Sequence, residues 1–316
     1  MPGKSLMNVP EGSTAPSVFE RVQMLKESHP FIFLEILGRL DEKASILAWL
    51  AYATGVVEGE FARDARRLFA LLQSIADSKS GLEEAQFVTV RGAELPLVGR
   101  SCVLAALLSA VLQPSGRITG VPERTRYLRA AVRLLRLWYH KFVTKSMMPA
   151  TLCGIIRCPT GEGLPMELWL GTTPPKGTGG AAAKTKAKEA RVKLAEKTGV
   201  WSEKADRFPV GSCAETFPLS VLLGADTGPS RVYSLSIRNK DGEYIRACGT
   251  CTATLANVAH MPGFTALDMS LPAVRWMYGE GVEEGVEEGV DHEEVEDVGG
   301  GAGRAGGGGG DGEGES

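Results

Sequence analysis

No stretch of this 316-residue sequence is apolar for long enough to cross a bilayer. The longest runs, such as Ile46–Val57, fall short of the roughly 20 residues that a spanning helix needs. The opening MPGKSLMNVPEGSTAP has no apolar core and does not read as a signal peptide. Cysteine is sparse. Six residues in a chain of this length fit a reducing compartment better than a disulfide scaffold. The four histidines, at 29, 140, 260 and 292, are scattered. His260 reads as a helix C-terminal residue favoured by the dipole, and His140 as structural. There is no P-loop, no dinucleotide-binding glycine pattern and no Ser-His-Asp arrangement. The expectation is an intracellular protein, cytoplasmic or nuclear, with no membrane partner and room for two modest domains.

What the chain does have is charge, unevenly placed. The net charge of −3 hides a basic body and an acidic tail. Residues 279–316 carry 13 Asp and Glu against one Arg, and residues 1–278 carry 34 Lys and Arg against 25 Asp and Glu. The tail, with tandem GVEE and a glycine run, has too little apolar content to fold and is expected to be disordered. Solubility is its simplest role; competition with an anionic substrate for the basic body is the sharper one.

Residues 17–147 show helix-like apolar recurrence in segments 17–28, 31–39, 42–54, 60–77 and 100–113, and in a last helix from about Pro122 to Lys145. Leu128, Ala131, Leu135, Trp138 and Phe142 make the apolar face of that last helix. Arg126, Arg129, Arg133 and Arg136 make a second stripe, suited either to phosphates or to a solvated, salt-bridged face. Residues 171–180 have loop composition. The following AAAKTKAKEARVKLAEK reads as a helix, with seven basic residues between Lys176 and Lys197 against two Glu. Its Lys184, Lys186 and Lys188 suit either a polynucleotide backbone or an exposed linker helix.

The chemistry is concentrated further on. Cys213-Ala214-Glu215 is followed 35 residues later by Cys248-Gly249-Thr250-Cys251. Three thiolates leave the fourth corner of a tetrahedral zinc open for water, whose pKa the metal lowers toward neutrality. A carboxylate two residues from a ligand can shuttle a proton without binding the metal. A run from 216 to 223 reads as a short buried helix, 231–238 as a strand, 239–242 as a turn, and 252–260 as a helix opened by the CxxC. Helix–strand–helix with ligands at both helix starts brings the motifs together, and helix N-termini favour thiolate over thiol. Thr151–Arg157 and Met166–Leu170 read as an opening hairpin, and Phe264–Leu271 as a later strand. A rival arrangement pairs Cys153 and Cys158 with Cys248 and Cys251 in a closed four-thiolate site, which leaves Cys213 and Glu215 unexplained. Otherwise Cys102, Cys153 and Cys158 are ordinary buried hydrophobes.

CxE followed by CxxC resembles the cytidine deaminase superfamily of zinc-dependent nucleoside and nucleic-acid deaminases. The likeness extends to the deaminase-like proteins abundant in fungi, which attach a helical N-terminal region to this domain. Ala247 stands where the family usually has Pro, and Thr216 where three-thiolate nucleoside deaminases carry Arg. The resemblance implies an α+β chain in three parts. Residues 1–147 form a helical N-terminal domain, 148–278 an α/β/α deaminase-like domain with a mixed sheet, and 279–316 a disordered tail. It implies Zn²⁺ on Cys213, Cys248 and Cys251, with Glu215 as proton shuttle. The substrate expected is a cytosine or adenine base within nucleic acid. A free cytidine-type nucleoside is the alternative enzyme reading, and an inactive zinc-binding scaffold that serves as an interaction module is the non-enzymatic one.

Overall fold

The computed structural model describes residues 17–59, 61–76, 86–90, 93–97, 99–115, 118–143, 148–160, 165–174, 181–199, 201, 210–224, 228–270 and 275–276. The acidic tail lies outside them. So does the side chain of Lys184.

Helices come first. α1 (Val18–Ser28) starts at Ser17, whose hydroxyl accepts the Glu20 N–H while Glu20 reaches back to the Ser17 N–H, a complete capping box. Pro30 opens α2 (Pro30–Gly38), where its missing N–H costs nothing. α3 (Lys43–Val56) and α4 (Phe61–Ala76) follow. The next segment corrects the helical expectation. β1 (Gln86–Val90) and β2 (Ala93–Leu97) form an antiparallel hairpin with Gln86 opposite Leu97. The alternating Phe, Val and Thr of QFVTV suit a pleated ribbon.

α5 (Gly99–Val111) and α6 (Val121–Phe142) cover one face of the main sheet. Pro122 sits in the first turn of α6. Glu123 accepts the Thr119 and Gly120 N–H groups at 2.8 and 3.2 Å, and those bonds hold its carboxyl below the ordinary value. The closest approach of helix to sheet is at Gly154. A Cβ there would lie 2.6 Å from both Leu128 and Val132 on α6. Leu128, Leu135, Trp138 and Phe142 are buried, as their spacing predicts.

The main sheet contains β3 (Thr151–Pro159), β4 (Glu167–Thr172), β5 (Ser230–Arg238), β6 (Tyr244–Ile245), β7 (Thr265–Asp268) and β8 (Arg275–Trp276). Its strand order is β4-β3-β5-β7-β8, with β6 paired to β5. β3 is antiparallel to β4 and to β5, β5 is parallel to β7, and β7 is antiparallel to β8. α7 (Ala181–Glu196), α8 (Thr216–Gly224) and α9 (Gly249–Ala259) complete the described elements. α8 packs on β3 and β4, and α9 on β7. The chain is thus mixed helix and sheet, as the sequence predicts, and residues 1–280 cluster as one unit. No described helix is long and apolar enough to cross a membrane.

Candidate metal centre

β3 and β5 put alternate residues on opposite faces. Cys153 pairs with both Ser236 of β5 and Gly171 of β4, so these three residues share one face of the sheet. Gly154 and its α6 contacts lie on the other. On the first face the absent side chain of Gly171 makes room for the Cys213–Glu215 loop. A Cβ there would stand 2.2 Å from the Ala214 carbonyl oxygen and 2.6 Å from the Pro218 ring. Glu215 immediately precedes α8, and its carbonyl accepts the Leu219 N–H. Cys248 is the N-cap of α9. The two motifs therefore stand at two helix starts, beside the C-terminal ends of the parallel pair β5 and β7.

The sulfurs of Cys213, Cys248 and Cys251 lie within 4.8 Å of one another, a group that can hold a metal ion. Cys213 and Cys248 approach to 3.0 Å. Cys213 and Cys251 are buried, and Cys248 is partly exposed, which gives the cluster one open side. The thiols do not share their protons equally. Cys248 is drawn far down, first by hydrogen bonds from the Cys213 and Cys251 thiols and then by the Cys251 and Thr250 N–H groups at the start of α9. Cys213 is pushed up by its contact with Cys248, against an opposing contact with Cys251, and Cys251 is pushed up by both of its thiol neighbours. No arginine follows Glu215; part of the anionic charge instead meets the N–H groups of a helix start.

Glu215 is 4 % exposed. Burial raises its carboxyl above the ordinary range, and the Ser236 hydroxyl, donating to Oε1 at 2.6 Å, opposes that shift. Its Oε2 lies 3.6 Å from the Cys251 sulfur. The carboxylate is thus beside the thiol cluster but outside its ligand set.

The four-thiolate rival does not assemble. The Cys153 sulfur contacts the Gly154 carbonyl and, at 3.9 Å, the Ser234 hydroxyl. Cys158 is five residues along the same strand and so faces the other way, about 16 Å on.

The arginine stripe on α6 divides. Arg129 lies over the Tyr244 ring, and Arg136 donates to the Asn239 and Lys240 carbonyls, so both tie the helix to the β5–β6 turn. Arg126 covers the Phe31 ring from an exposed position, and Arg133 is exposed. On α7, Lys186 and Lys193 are exposed and Lys188 is half-buried. α7 packs beside α8, and Gly211, two residues before Cys213, lies against the Lys188 carbonyl.

Residues that motif reading passes over complete the site. They are Gly171, Ser236 and Asp268. Two of them carried a signal. Glycine inside the strand ELWLGT marks a close backbone approach. Serines alternating through RVYSLSIR, at 234 and 236, put hydroxyls on a buried strand face. No family model matches the chain, and neither a curated protein nor a solved structure matches it.

Proposed function

We propose that this chain is a zinc-dependent hydrolytic deaminase of the cytidine deaminase-like superfamily, acting on a cytosine or adenine base within nucleic acid. In this reading the sheet with α5 and α6 on one face and α8 and α9 on the other is an α/β/α deaminase-like layer set. The observation that carries it is the position of Glu215, buried, hydrogen-bonded and 3.6 Å from a sulfur of the thiol cluster. A purely structural metal site has no use for a buried carboxylate there.

The donor set suits zinc. Bonds of about 2.3 Å to sulfur place tetrahedral thiolates about 3.8 Å apart, so a small outward movement of Cys213 and Cys248 accommodates the ion. Cys213, Cys248 and Cys251 would hold it. When bound, zinc supplies a Lewis acid that makes water nucleophilic at neutral pH. Glu215 moves the protons. It accepts one from the attacking water at Oε2 and returns it to the departing amino group, which leaves as ammonia. The Ser236 hydroxyl holds Oε1 and so keeps Oε2 turned toward the reacting atoms. Burial, which raises the carboxyl above its ordinary range, makes Glu215 a stronger base than an exposed glutamate.

A nucleic-acid substrate is supported by the net charge of residues 1–278, which is +9, and by the exposed Lys186 and Lys193 on the helix beside α8. Such a substrate must be single-stranded or have its base flipped out of the stack.

The test is product detection by mass spectrometry on cytidine, adenosine, dCMP, single- and double-stranded DNA, and RNA. Wild type and Glu215→Ala are compared after zinc analysis of both. The expected result is deamination of a single-stranded polynucleotide by wild type and none by the zinc-loaded variant. Deamination of free nucleosides alone would move the substrate to the small-molecule class. Zinc-loaded wild type that converts nothing would leave a binding scaffold.

A further inference from the structure

The thiol cluster and Glu215 are joined through a buried carboxylate that belongs to neither motif. Asp268 ends β7 and is 3 % exposed. Its Oδ2 accepts the Ala247 N–H at 3.3 Å, and its Oδ1 accepts the Ser270 N–H at 2.9 Å. Ala247 is the residue before Cys248, and its carbonyl is held by the Thr252 hydroxyl at 3.3 Å. The peptide leading into the CxxC helix is therefore pinned on both sides. The Ser270 hydroxyl accepts the Ser236 N–H at 2.9 Å, and the Ser236 side chain is the one that holds Glu215.

Resting on the zinc reading above, we infer that Asp268 is a positioning residue that sets the entry to α9, and with it Cys248 and Cys251, against the Glu215 carboxylate. The requirement is chemical. Two backbone N–H groups converge on one side chain from different segments, and only a carboxylate offers two acceptor oxygens there. Asn matches the shape but presents one oxygen and an amide that opposes the second N–H. Ala247 also has a reason not to be proline: a proline would remove the N–H that Asp268 binds. Residues that orient metal ligands from behind change metal affinity by about 10- to 100-fold when replaced.

The experiment is a Co²⁺ titration of the full chain, read by the sulfur-to-cobalt charge-transfer band and the visible d–d bands. It compares wild type, Asp268→Asn and Ser270→Ala, each confirmed folded by circular dichroism. For Asp268→Asn the expected result is at least a tenfold loss of cobalt affinity with altered d–d bands. Ser270→Ala keeps the Asp268–Ala247 contact and should bind cobalt as wild type does. Asp268→Ser, too short to reach Ala247, replaces Asp268→Asn if the latter does not fold, with the same expectation. Unchanged affinity and bands in the Asp268 variant would overturn the inference. So would equal losses in the Asp268 and Ser270 variants, which signify general loosening. A wild type that binds cobalt without a thiolate charge-transfer band fails the metal reading itself, a separate outcome.

Discussion

Gly171 shows how one residue sets the candidate site. It is the last residue but one of β4, where glycine weakens a strand, because the Ala214 carbonyl and the Pro218 ring occupy the space a Cβ would need. Neither neighbour is a flexible side-chain end, so Gly171→Ala must push the Cys213–Glu215 loop off the sheet. The expected cost is about 1–3 kcal/mol of stability, measured by urea unfolding. The zinc affinity of the folded variant should fall as well, because Cys213 moves with the loop. A variant with wild-type stability and zinc affinity would show that the loop has slack that the structure does not suggest. The partners of Gly171, Ser236 and Asp268 are hard to find in the sequence for a common reason. Each of the three acts on a residue far along the chain, and no local pattern marks that partner.

Among the elements, β4 poses the plainest physical problem. It ends the sheet order, so alternate N–H and C=O groups face away from β3. Side chains close that edge. The Gln113 amide donates to the Leu168 carbonyl at 2.9 Å and accepts the Leu168 N–H at 3.1 Å, much as a neighbouring strand would. The Ser109 hydroxyl accepts the Leu170 N–H at 2.8 Å. Arg191 of α7, 2 % exposed, donates to the Thr172 carbonyl at 3.1 Å. Gln113→Ala leaves two backbone groups of Leu168 without these partners. It should destabilise the chain by about 1–3 kcal/mol in chemical unfolding. A change under about 0.5 kcal/mol would mean that water replaces the amide at no cost. The helices were legible from the spacing of their apolar residues, and Pro122 marked the start of α6. The β1–β2 hairpin was not, because its short apolar alternation lies between strongly helical segments.

At the scale of the whole molecule, the helical segment and the sheet share a core. Leu128 and Val132 of α6 meet Gly154 of β3, and α5 lies along β4. Removing residues 1–147 would uncover an apolar sheet face that includes Ile156, Leu168 and Leu170. A fragment of residues 148–280 is therefore expected to lack a cooperative thermal transition and to aggregate, whereas residues 1–280 should unfold cooperatively. A soluble, cooperatively folding 148–280 fragment would show that the sheet carries its own core. Buried residues of the described chain end at Ser270, well short of the acidic tail.

The sequence by itself determined most of the helices, the strands β3, β4 and β5, and the identity of the clustered side chains. Apolar period placed the helices, with Pro122 at the start of α6. CxE and CxxC named the three thiols and the carboxylate, because these motifs are local and their spacing within a helix start is fixed by the backbone. Only the tertiary structure decided which face of the sheet the motifs share, and that Cys153 and Cys158 point to opposite faces. It also turned Arg129 and Arg136 of the basic stripe inward, onto the β5–β6 turn. The link from Asp268 to both motifs belongs to the fold as well. Such pairings join residues tens of positions apart, and they are set by strand register and helix docking, which the pattern of neighbouring residues does not encode.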